Sequence, residues 1–354
     1  MRFVAAACLS ACVLAVAAGP PAAVRFARNP LITQQMSPTL GDDINGPSLI
    51  RVPAWIDHPL GRYYLYFAHH KGRFIRMAYA NDLAGPWKIY ERGVLDVKDT
   101  AFYRPQPDPP GSAFYTHVAS PEVVLDKTGN RLVMLAHGMF TDGLRWPEDP
   151  REAVRWAQAQ AYAQYTQTFV STDGIHFTAR PGITVQTSYA RLFRWRGTWY
   201  SMSRLGVLGR SNDLLGRFDA GPNPFDSGNW AGRVRHVATL LRGDTLHVFF
   251  SGIGDAPERI LLSTIELTPD WSTWRASAPA EVLRPMAPYE CTNIPVTPSK
   301  AGEAEGPEHA LRDPGLIEED GRVVLFYSYC GEQGIAAADV TSFISSPTAA
   351  PRGR

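Results

Sequence analysis

The sequence has almost no net charge, few cysteines and no long apolar run after its first 18 residues. Its 354 residues carry 35 Lys and Arg against 34 Asp and Glu, without blocks of like charge. Proteins that bind nucleic acid or anionic membranes need a basic surface, so the composition argues against both partners. Hydrophobic residues make up 45% of the chain, which indicates a folded protein rather than a disordered one.

The first 18 residues have the order of a secretory signal. Met1 and Arg2 give a basic start, residues 3–18 are apolar, and small residues surround Val16. This run is short for a membrane span. We therefore predict a signal peptide over residues 1–18, an exported protein located in the periplasm or outside the cell, and no membrane contact after cleavage.

Cysteine usage leaves two states open. A lipoprotein-like box ends at Cys12, but it comes early and apolar residues follow it. After signal cleavage only Cys291 and Cys330 remain. They form one disulfide in an oxidising compartment, or they are two buried thiols.

One pattern recurs five times along the chain. Each copy has a short apolar strand, a turn with Gly, Asn or Asp, and an aromatic or β-branched strand. The second strands begin 47–77 residues apart, at Arg62, Arg131, Thr198, Thr245 and Arg322. This spacing accommodates a four-stranded antiparallel sheet, and radial repetition of such sheets produces a β-propeller. The sequence therefore predicts an all-β fold, with residues 24–344 forming one five-bladed β-propeller; a two-sheet sandwich would not need five copies.

Three details of this propeller can be predicted. Fourth strands are expected at residues 87–90, 176–179 and 271–274. The last blade lacks one before a flexible tail at residues 345–354, so residues 24–32 are expected to supply it and close the ring. Residues 147–164 have apolar positions at helical spacing, with Asp149 as a cap; they predict a helix inserted in blade two, which packs on the blade or forms a wall of the cleft.

Polar residues cluster where the first strand of each repeat begins. In a propeller these strands line the central channel, and the loops that enter them form one mouth. An unpaired buried charge is costly, so the repeated placement of charge there indicates a functional site. The candidates at these positions are Asp42, Asp43, Asn45, His117, Ser120, Glu122, Tyr189, Arg191, Arg235, His236, Arg312 and Asp313.

Several of these residues lie in motifs that resemble a known superfamily. Residues 45–52 and 61–67 resemble the opening blade of the five-bladed propeller glycosidases of families 43, 32 and 117. Residues 311–315 resemble the Arg-Asp-Pro motif of family 32, whose Asp stabilises the transition state, and residues 289–291 resemble its Glu-Cys motif, whose Glu is the acid/base. The whole mature chain also resembles a group of exported, glycosidase-like bacterial propellers.

Two departures from these families affect the transfer of roles. Gly46 stands where the family 43 opening has an Asp before Pro. Glu290 precedes Asp313, the reverse of the family 32 order.

The resemblance implies a glycoside hydrolase-like enzyme that acts on carbohydrate. Glycoside cleavage uses one carboxylic acid to protonate the leaving oxygen and one carboxylate as base or nucleophile. We predict Glu290 as the acid, because Tyr289 and Cys291 would raise its pKa. Asp43 is predicted as base or nucleophile, and Asp313 as a group that orients a hydroxyl or tunes a partner. A loop salt bridge for Glu290 and a solvated turn for Asp43 remain alternatives.

Further polar residues are predicted to bind the substrate: Asn45, His69, His70, His117, Glu122, Tyr189, Arg191, Arg235, His236, Arg312 and Glu332. Because neighbouring strand residues face opposite sides, at most one of His69 and His70 can face the site. No histidines have a recognised ligand spacing, so neither a metal site nor a cofactor is predicted, although a central-channel cation, as in some family 43 relatives, is compatible with the sequence.

The three arginines at the mouth admit a second interpretation. Arg191, Arg235 and Arg312 could bind an acidic sugar or, as in a phosphorylase resembling family 130, inorganic phosphate. They could instead neutralise Asp43, Glu290 and Asp313. The alternative functions are therefore a non-catalytic glycan-binding propeller and an inverting glycoside phosphorylase.

Overall fold

The computed structural model describes residues 20–108, 115–140, 145, 147–159 and 164–345. The predicted signal peptide and residues 346–354 of the predicted tail lie outside this part of the chain. Two short strands, β1 (Val24–Arg25) and β2 (Ile32–Thr33), precede the first sheet. The other strands form five antiparallel sheets in chain order, which confirms the five-bladed all-β propeller.

The blades and helices have the following bounds. Blade one contains β3 (Asn45–Arg51), β4 (Tyr63–Ala68), β5 (Phe74–Ala80) and β6 (Lys88–Asp96). Blade two contains β7 (Ala119–Asp126), β8 (Arg131–Met139), β9 (Gln164–Ser171) and β10 (Thr178–Ala179), with helix α1 (Pro150–Ala159) between β8 and β9. Blade three contains β11 (Arg191–Trp195), β12 (Thr198–Met202), β13 (Leu208–Ser211) and β14 (Asp219–Ala220). Blade four contains β15 (Val234–Arg242), β16 (Thr245–Gly252), β17 (Ile260–Glu266) and β18 (Ala280–Leu283). Blade five contains β19 (Leu311–Glu319), β20 (Arg322–Tyr329) and β21 (Gly334–Asp339), and helix α2 (Thr341–Ser345) follows it.

The N-terminal segment closes the ring, as predicted. Val24 of β1 pairs with Asp339 of β21, and Ile32 of β2 pairs with Ile335 of the same strand. The start of the chain thus completes the sheet formed by its end. This pairing covers the edge of β21, which would otherwise be a site for aggregation.

Apolar side chains fill the space between neighbouring blades. In β4, Tyr63, Leu65 and Phe67 face blade five, whereas Tyr64 and Tyr66 face blade two. This alternation follows from the two-residue period of a strand. Each second strand is buried on both faces, which explains why these strands are nearly continuous apolar runs.

One predicted fourth strand is wrong. Trp271–Thr273 form a short 3-10 turn capped by the Asp270 side chain, and the fourth strand of blade four is β18 instead. The indoles of Trp271 and Trp274 pack against Tyr200 between blades three and four. Tertiary burial of the two aromatic rings, rather than strand pairing, explains their presence.

The predicted helix in blade two is present as α1. The Asp149 carboxylate accepts hydrogen bonds from two main-chain N–H groups of the first turn, as expected for a cap. Ala153 of the helix packs with Met139 and Tyr115. Met139 and Tyr115 form part of the wall of the cavity described below, and the helix packs behind them. In the described part of the chain, neither helix is long and apolar enough to cross a membrane.

The first strands share a local distortion near their beginnings. Strands β3, β7, β15 and β19 each contain a bulge at the corresponding position. Ser120 and Asp313 have φ values of 46° and 51° at these bulges, and Tyr189, two residues before β11, has a φ of 59°; this is a strained conformation for residues other than glycine. We call five residues at or just before the beginnings of the first strands the inner ring: Gly46, Ser120, Tyr189, His236 and Asp313.

Candidate active site

The Arg191 side chain fills the waist of the central channel. Its donors reach four main-chain carbonyls at 3.0–3.5 Å, those of Pro47, Pro121, Val237 and Pro314. Its Nη1 also lies 2.6 Å from Glu122 Oε2. Because these carbonyls belong to the four other blades, one guanidinium joins all five. Arg191 and Glu122 thus hold the propeller together. In contrast to the prediction, neither residue lines the mouth cavity.

A cavity of about 410 Å³ opens at the mouth formed by the beginnings of the first strands. Four predicted residues line it: His70, Tyr189, Arg235 and His236. Tyr115 and Arg204, which the sequence interpretation missed, also line it. The sequence was therefore right about the end of the propeller that carries the cavity, and incomplete about its walls.

Tyr189 contacts a buried histidine on the floor of the cavity. Its hydroxyl lies 3.1 Å from His70 Nε2. His70 Nδ1 lies 3.1 Å from Glu332 Oε2 and 3.3 Å from Asp43 Oδ2. Burial is the largest single influence and lowers the pKa of His70, but Glu332, Tyr189 and Asp43 together outweigh it, so the pKa lies well above the usual range. Asp43 and Glu332 are both buried, so they reach the cavity through His70.

The same three residues could hold a cation. Ligand atoms of Asp43, His70 and Glu332 lie within 4.8 Å of one another. Asn45 Nδ2 lies 2.7 Å from Asp43 Oδ1, whereas the buried Asn45 Oδ1 has no hydrogen-bond partner among the described residues. Carboxylate, amide and imidazole groups suit a divalent cation, which would neutralise the two buried carboxylates when bound.

A second carboxylate–histidine pair lies on the other side of Tyr189. The ring of His236 is 3.8 Å from the Tyr189 ring, and its Nδ1 contacts the Asp313 carboxylate. Ser328 Oγ donates a hydrogen bond to Asp313 at 3.1 Å. Burial lowers the pKa of His236 well below the usual range. Asp313 is fully buried and, like Asp43, meets the cavity through a histidine.

Aromatic and imidazole rings continue along one wall. The centroid distances are 4.5 Å from Tyr115 to His117, 5.6 Å from His117 to His137, and 4.2 Å from His137 to Tyr189. Burial lowers the pKa of His117 to about 4 and that of His137 well below the usual range. Both histidines are therefore neutral at pH 7. His117 lies behind Tyr115. In contrast to the prediction, it does not line the cavity.

The other two predicted arginines are paired with a buried carboxylate. Arg235 Nε lies 2.7 Å from Glu258 Oε1, and Arg312 Nε lies 2.9 Å from Glu258 Oε2. Arg312 also approaches Glu332 at 3.5 Å. These arginines neutralise carboxylates, although not the ones expected, and they are not free to bind phosphate. Glu258 was missed because its partners lie far away along the chain.

The structure contradicts the placement of Glu290 at the mouth. Its fully buried carboxylate is 2.8 Å from both Nε and Nη2 of Arg25, accepts two main-chain N–H groups, and accepts the Tyr327 hydroxyl at 2.9 Å. Glu290 thus holds β1 against blade five and does not line the mouth cavity, so its contacts do not support the predicted role as acid. The adjacent Cys291 forms a disulfide with Cys330, which resolves the two states left open above.

His69 lies at the rim, outside the cavity. Its Nε2 is 3.3 Å from the exposed Asp42 carboxylate, while His70 faces the cavity. Only one of the two adjacent histidines thus reaches the site, as expected, although both lie in the turn after β4 rather than in the strand.

A usable signal for the missed residues exists. Second strands run antiparallel to first strands, so their C-terminal ends lie at the same mouth. The missed Arg204 lies two residues after β12, and His137 lies near the end of β8. The predicted His70 and Glu332 occupy similar positions, two and three residues after β4 and β20. Polar residues at the C-terminal ends of second strands are therefore candidates for the same site as those at the beginnings of first strands.

Solved structures show what class of protein has this fold. A family 43 β-xylosidase/α-arabinofuranosidase from a compost microbial metagenome, solved with xylotriose in a calcium-free form, has a TM-score of 0.55 and 11% identity, covering 90% of this chain and 94% of its own. A structure from the GH130 family of mannoside phosphorylases, which contains glycoside hydrolases that target β-1,2-mannosidic linkages in Candida mannan, has a TM-score of 0.56 and 11% identity, covering 90% and 93%. The chain therefore has the five-bladed propeller fold found among glycoside hydrolases and related phosphorylases.

No sequence profile of an established protein family matches the chain. An uncharacterised protein of Acanthamoeba polyphaga mimivirus, R118, is 34% identical over 338 residues, covering 89% of each chain. The protein belongs to the same family as R118.

Proposed function

We propose that the protein is an exported, glycosidase-type enzyme that binds a sugar in the mouth cavity and cleaves its glycosidic bond. The observation that carries the proposal is the Tyr189 hydroxyl, 3.1 Å from a histidine backed by two buried carboxylates, on the floor of a cavity of about 410 Å³. The likeness in fold to glycoside hydrolases supports it.

The cavity has the composition of a sugar site. Tyr115, Tyr165 and Tyr189 line it, and aromatic faces stack on the C–H faces of sugar rings. The main polar groups on its floor are His70 and His236, which can exchange hydrogen bonds with sugar hydroxyls. The volume is within the range usual for small-molecule sites.

Proton transfer is assigned to the two carboxylate–histidine pairs. Cleavage needs one group that protonates the leaving oxygen and another that activates water. His70, backed by Asp43 and Glu332, lies on one side of Tyr189, and His236, backed by Asp313, lies on the other. One pair serves as donor and the other as base, with Tyr189 positioned between them.

The test is release of reducing ends from a panel of polysaccharides and aryl glycosides. Loss of an acid/base group lowers turnover by about 10²-fold or more, so Asp313→Asn, which removes the carboxylate behind His236, should abolish most activity. Tyr189→Phe removes the hydroxyl that contacts His70 between the two pairs and should abolish most activity as well. Tyr200→Phe, the same change at a tyrosine outside the cavity in blade three, should retain it. Wild-type activity that survives both cavity variants would overturn the assignment.

A non-catalytic glycan-binding propeller is the second candidate. Gly46 and Ser120 occupy two of the five inner-ring positions, and Glu290 lies outside the cavity. Sugar binding by the wild type without turnover of any glycan would favour this candidate. If no sugar binds or reacts, both candidates fail.

Export is supported by the disulfide between Cys291 and Cys330, because such bonds persist in oxidising compartments. The full chain with a C-terminal tag, expressed in a Gram-negative bacterium, should be recovered from the periplasm without residues 1–18 and with both thiols oxidised. A variant that lacks residues 2–18 should stay in the cytoplasm. Recovery of the uncleaved, reduced chain from the cytoplasm would contradict export.

A further inference from the structure

Arg204 differs from the other arginines near the mouth. Its side chain lines the cavity. The guanidinium makes no hydrogen bond or ion pair with any residue in the part of the chain that the structure describes. Its main-chain N–H donates to the Ser188 carbonyl at 3.0 Å, which fixes the loop that carries it. By contrast, Arg191 and Arg235 are each paired with a glutamate.

Among the described residues, the groups around Arg204 do not supply its counter-charge. The nearby His137 is neutral because burial lowers its pKa. Glu303 at the rim contacts Lys71, and Asp43 with Glu332 surrounds His70. A partly buried guanidinium without an anion is unfavourable. Among the described residues that line the cavity, Arg204 therefore offers a ligand a positive charge without a protein counter-charge.

A second observation points to a ligand at the same wall. The Thr187 hydroxyl is buried and lacks a hydrogen-bond partner among the described residues. Thr187, Ser188 and Arg204 line the cavity together. A guanidinium fork with a neighbouring hydroxyl suits an oxyanion, since both groups donate hydrogen bonds.

We propose that the mouth cavity takes a carboxylate-bearing sugar, a hexuronate, and that Arg204 is the residue that selects its carboxylate. One available guanidinium matches the single negative charge of a carboxylate, whereas a phosphate monoester carries about two at neutral pH. The buried acids of the site are separated from the cavity by His70 and His236, so they would repel an anionic sugar only weakly. This inference rests on the proposed function, since it specifies the sugar that the same cavity binds.

The experiment is a calorimetric titration of the mature protein with short oligomers of glucuronic acid and of galacturonic acid. The matched ligands are the same oligomers after reduction of their carboxyl groups. A uronate oligomer should bind at least tenfold more tightly than its reduced form. Arg204→Gln should remove this difference without weakening the neutral ligand, and Arg204→Lys should restore part of it.

Two controls separate selectivity from folding. Arg210→Gln removes an arginine of the same blade that stacks on Trp271 outside the cavity, and it should leave the preference unchanged. Arg204→Gln should melt at or above the wild-type temperature, because it removes an unpaired charge. A large loss of stability in this variant would show that Arg204 has a structural partner, which would overturn the inference.

The remaining outcomes are also decisive. Equal binding of uronate and reduced oligomers would overturn the inference and leave the proposed function standing. Arg204-dependent binding of sulfated galactan oligomers in place of uronates would overturn the carboxylate assignment. If no sugar binds, the proposed function itself fails.

Discussion

The waist and the mouth of the central channel contain similar polar residues, but these residues differ in whether their hydrogen-bonding atoms are paired within the protein. At the waist, the donors of Arg191 meet the carbonyls of four other blades and Glu122. At the mouth, several buried polar atoms have no partner among the described residues: Asn45 Oδ1, His117 Nε2, Ser120 Oγ, His137 Nδ1 and Thr187 Oγ1. Native proteins rarely leave such atoms unpaired. The polar groups of Arg191 at the waist are therefore paired within the protein, whereas several buried polar atoms around the mouth are not, and similar unpaired atoms occur elsewhere, as at Trp55 and His247.

The largest effect is expected at the waist. Arg191→Met should lower the free energy of unfolding by about 3–5 kcal/mol, because the largely buried Glu122 carboxylate loses its counter-charge and four carbonyls lose this donor. Urea denaturation measures this. Arg194→Met, an exposed position on the same strand, should change it by less than about 0.5 kcal/mol. A loss below about 1 kcal/mol for Arg191→Met would show that the waist is not the stabilising centre.

An intermediate effect is expected at the wall of the mouth and depends on pH. The pKa of His117 falls from its usual value to about 4 in the folded protein, so below pH 6.5 the unfolded chain binds a proton that the native state does not. The contribution of His117 to stability is therefore present above pH 6.5 and declines by roughly 3 kcal/mol as the pH falls to 4.

The comparison that isolates this contribution is the free energy of unfolding of His117→Gln at pH 7, 5.5 and 4. The variant should lose less stability than the wild type over this interval. Parallel curves for the two proteins would contradict a neutral, buried His117.

The smallest effect on stability is expected on the floor of the cavity. Tyr189→Phe removes a hydroxyl whose partner, His70, retains Glu332 and Asp43. We expect the free energy of unfolding to change by less than about 1 kcal/mol, even though activity is lost. Thermal melting beside the activity assay checks this. A loss similar to that of Arg191→Met would place Tyr189 with the stabilising part of the channel.

Local sequence was sufficient to predict the blades. The strand–turn–strand pattern is contained within about 25 residues. The second strands are buried on both faces, so they appear in the sequence as apolar runs. The closing strand was predictable because blade five lacked a fourth strand. Trp271 and Trp274 were misassigned since their burial depends on Tyr200, which lies in another blade.

The site was predictable by position but not by pairing. The beginnings of the first strands indicated His236 and Tyr189, and the structure places both in the lining of the mouth cavity, because a propeller brings those positions together. Their predicted role in substrate binding stays a prediction. The fate of Glu290 depends on Arg25, 265 residues earlier in the chain, and local sequence does not reveal such a partner. The resemblance of residues 289–291 to a three-residue motif depends only on neighbouring residues. The salt bridge of Glu290 depends on the fold that brings Arg25 to it.

The pairing of β1 with β21 has a consequence for biosynthesis. Strand β1 is synthesised before all five blades, whereas its partner β21 is the last strand of blade five. The ring can therefore close only after the strands of all five blades have been made, and the salt bridge between Arg25 and Glu290 can form only after Glu290 has been added. A polypeptide that stops before β21 would lack the partner of β1, so ring closure separates polypeptides that contain β21 from those that do not.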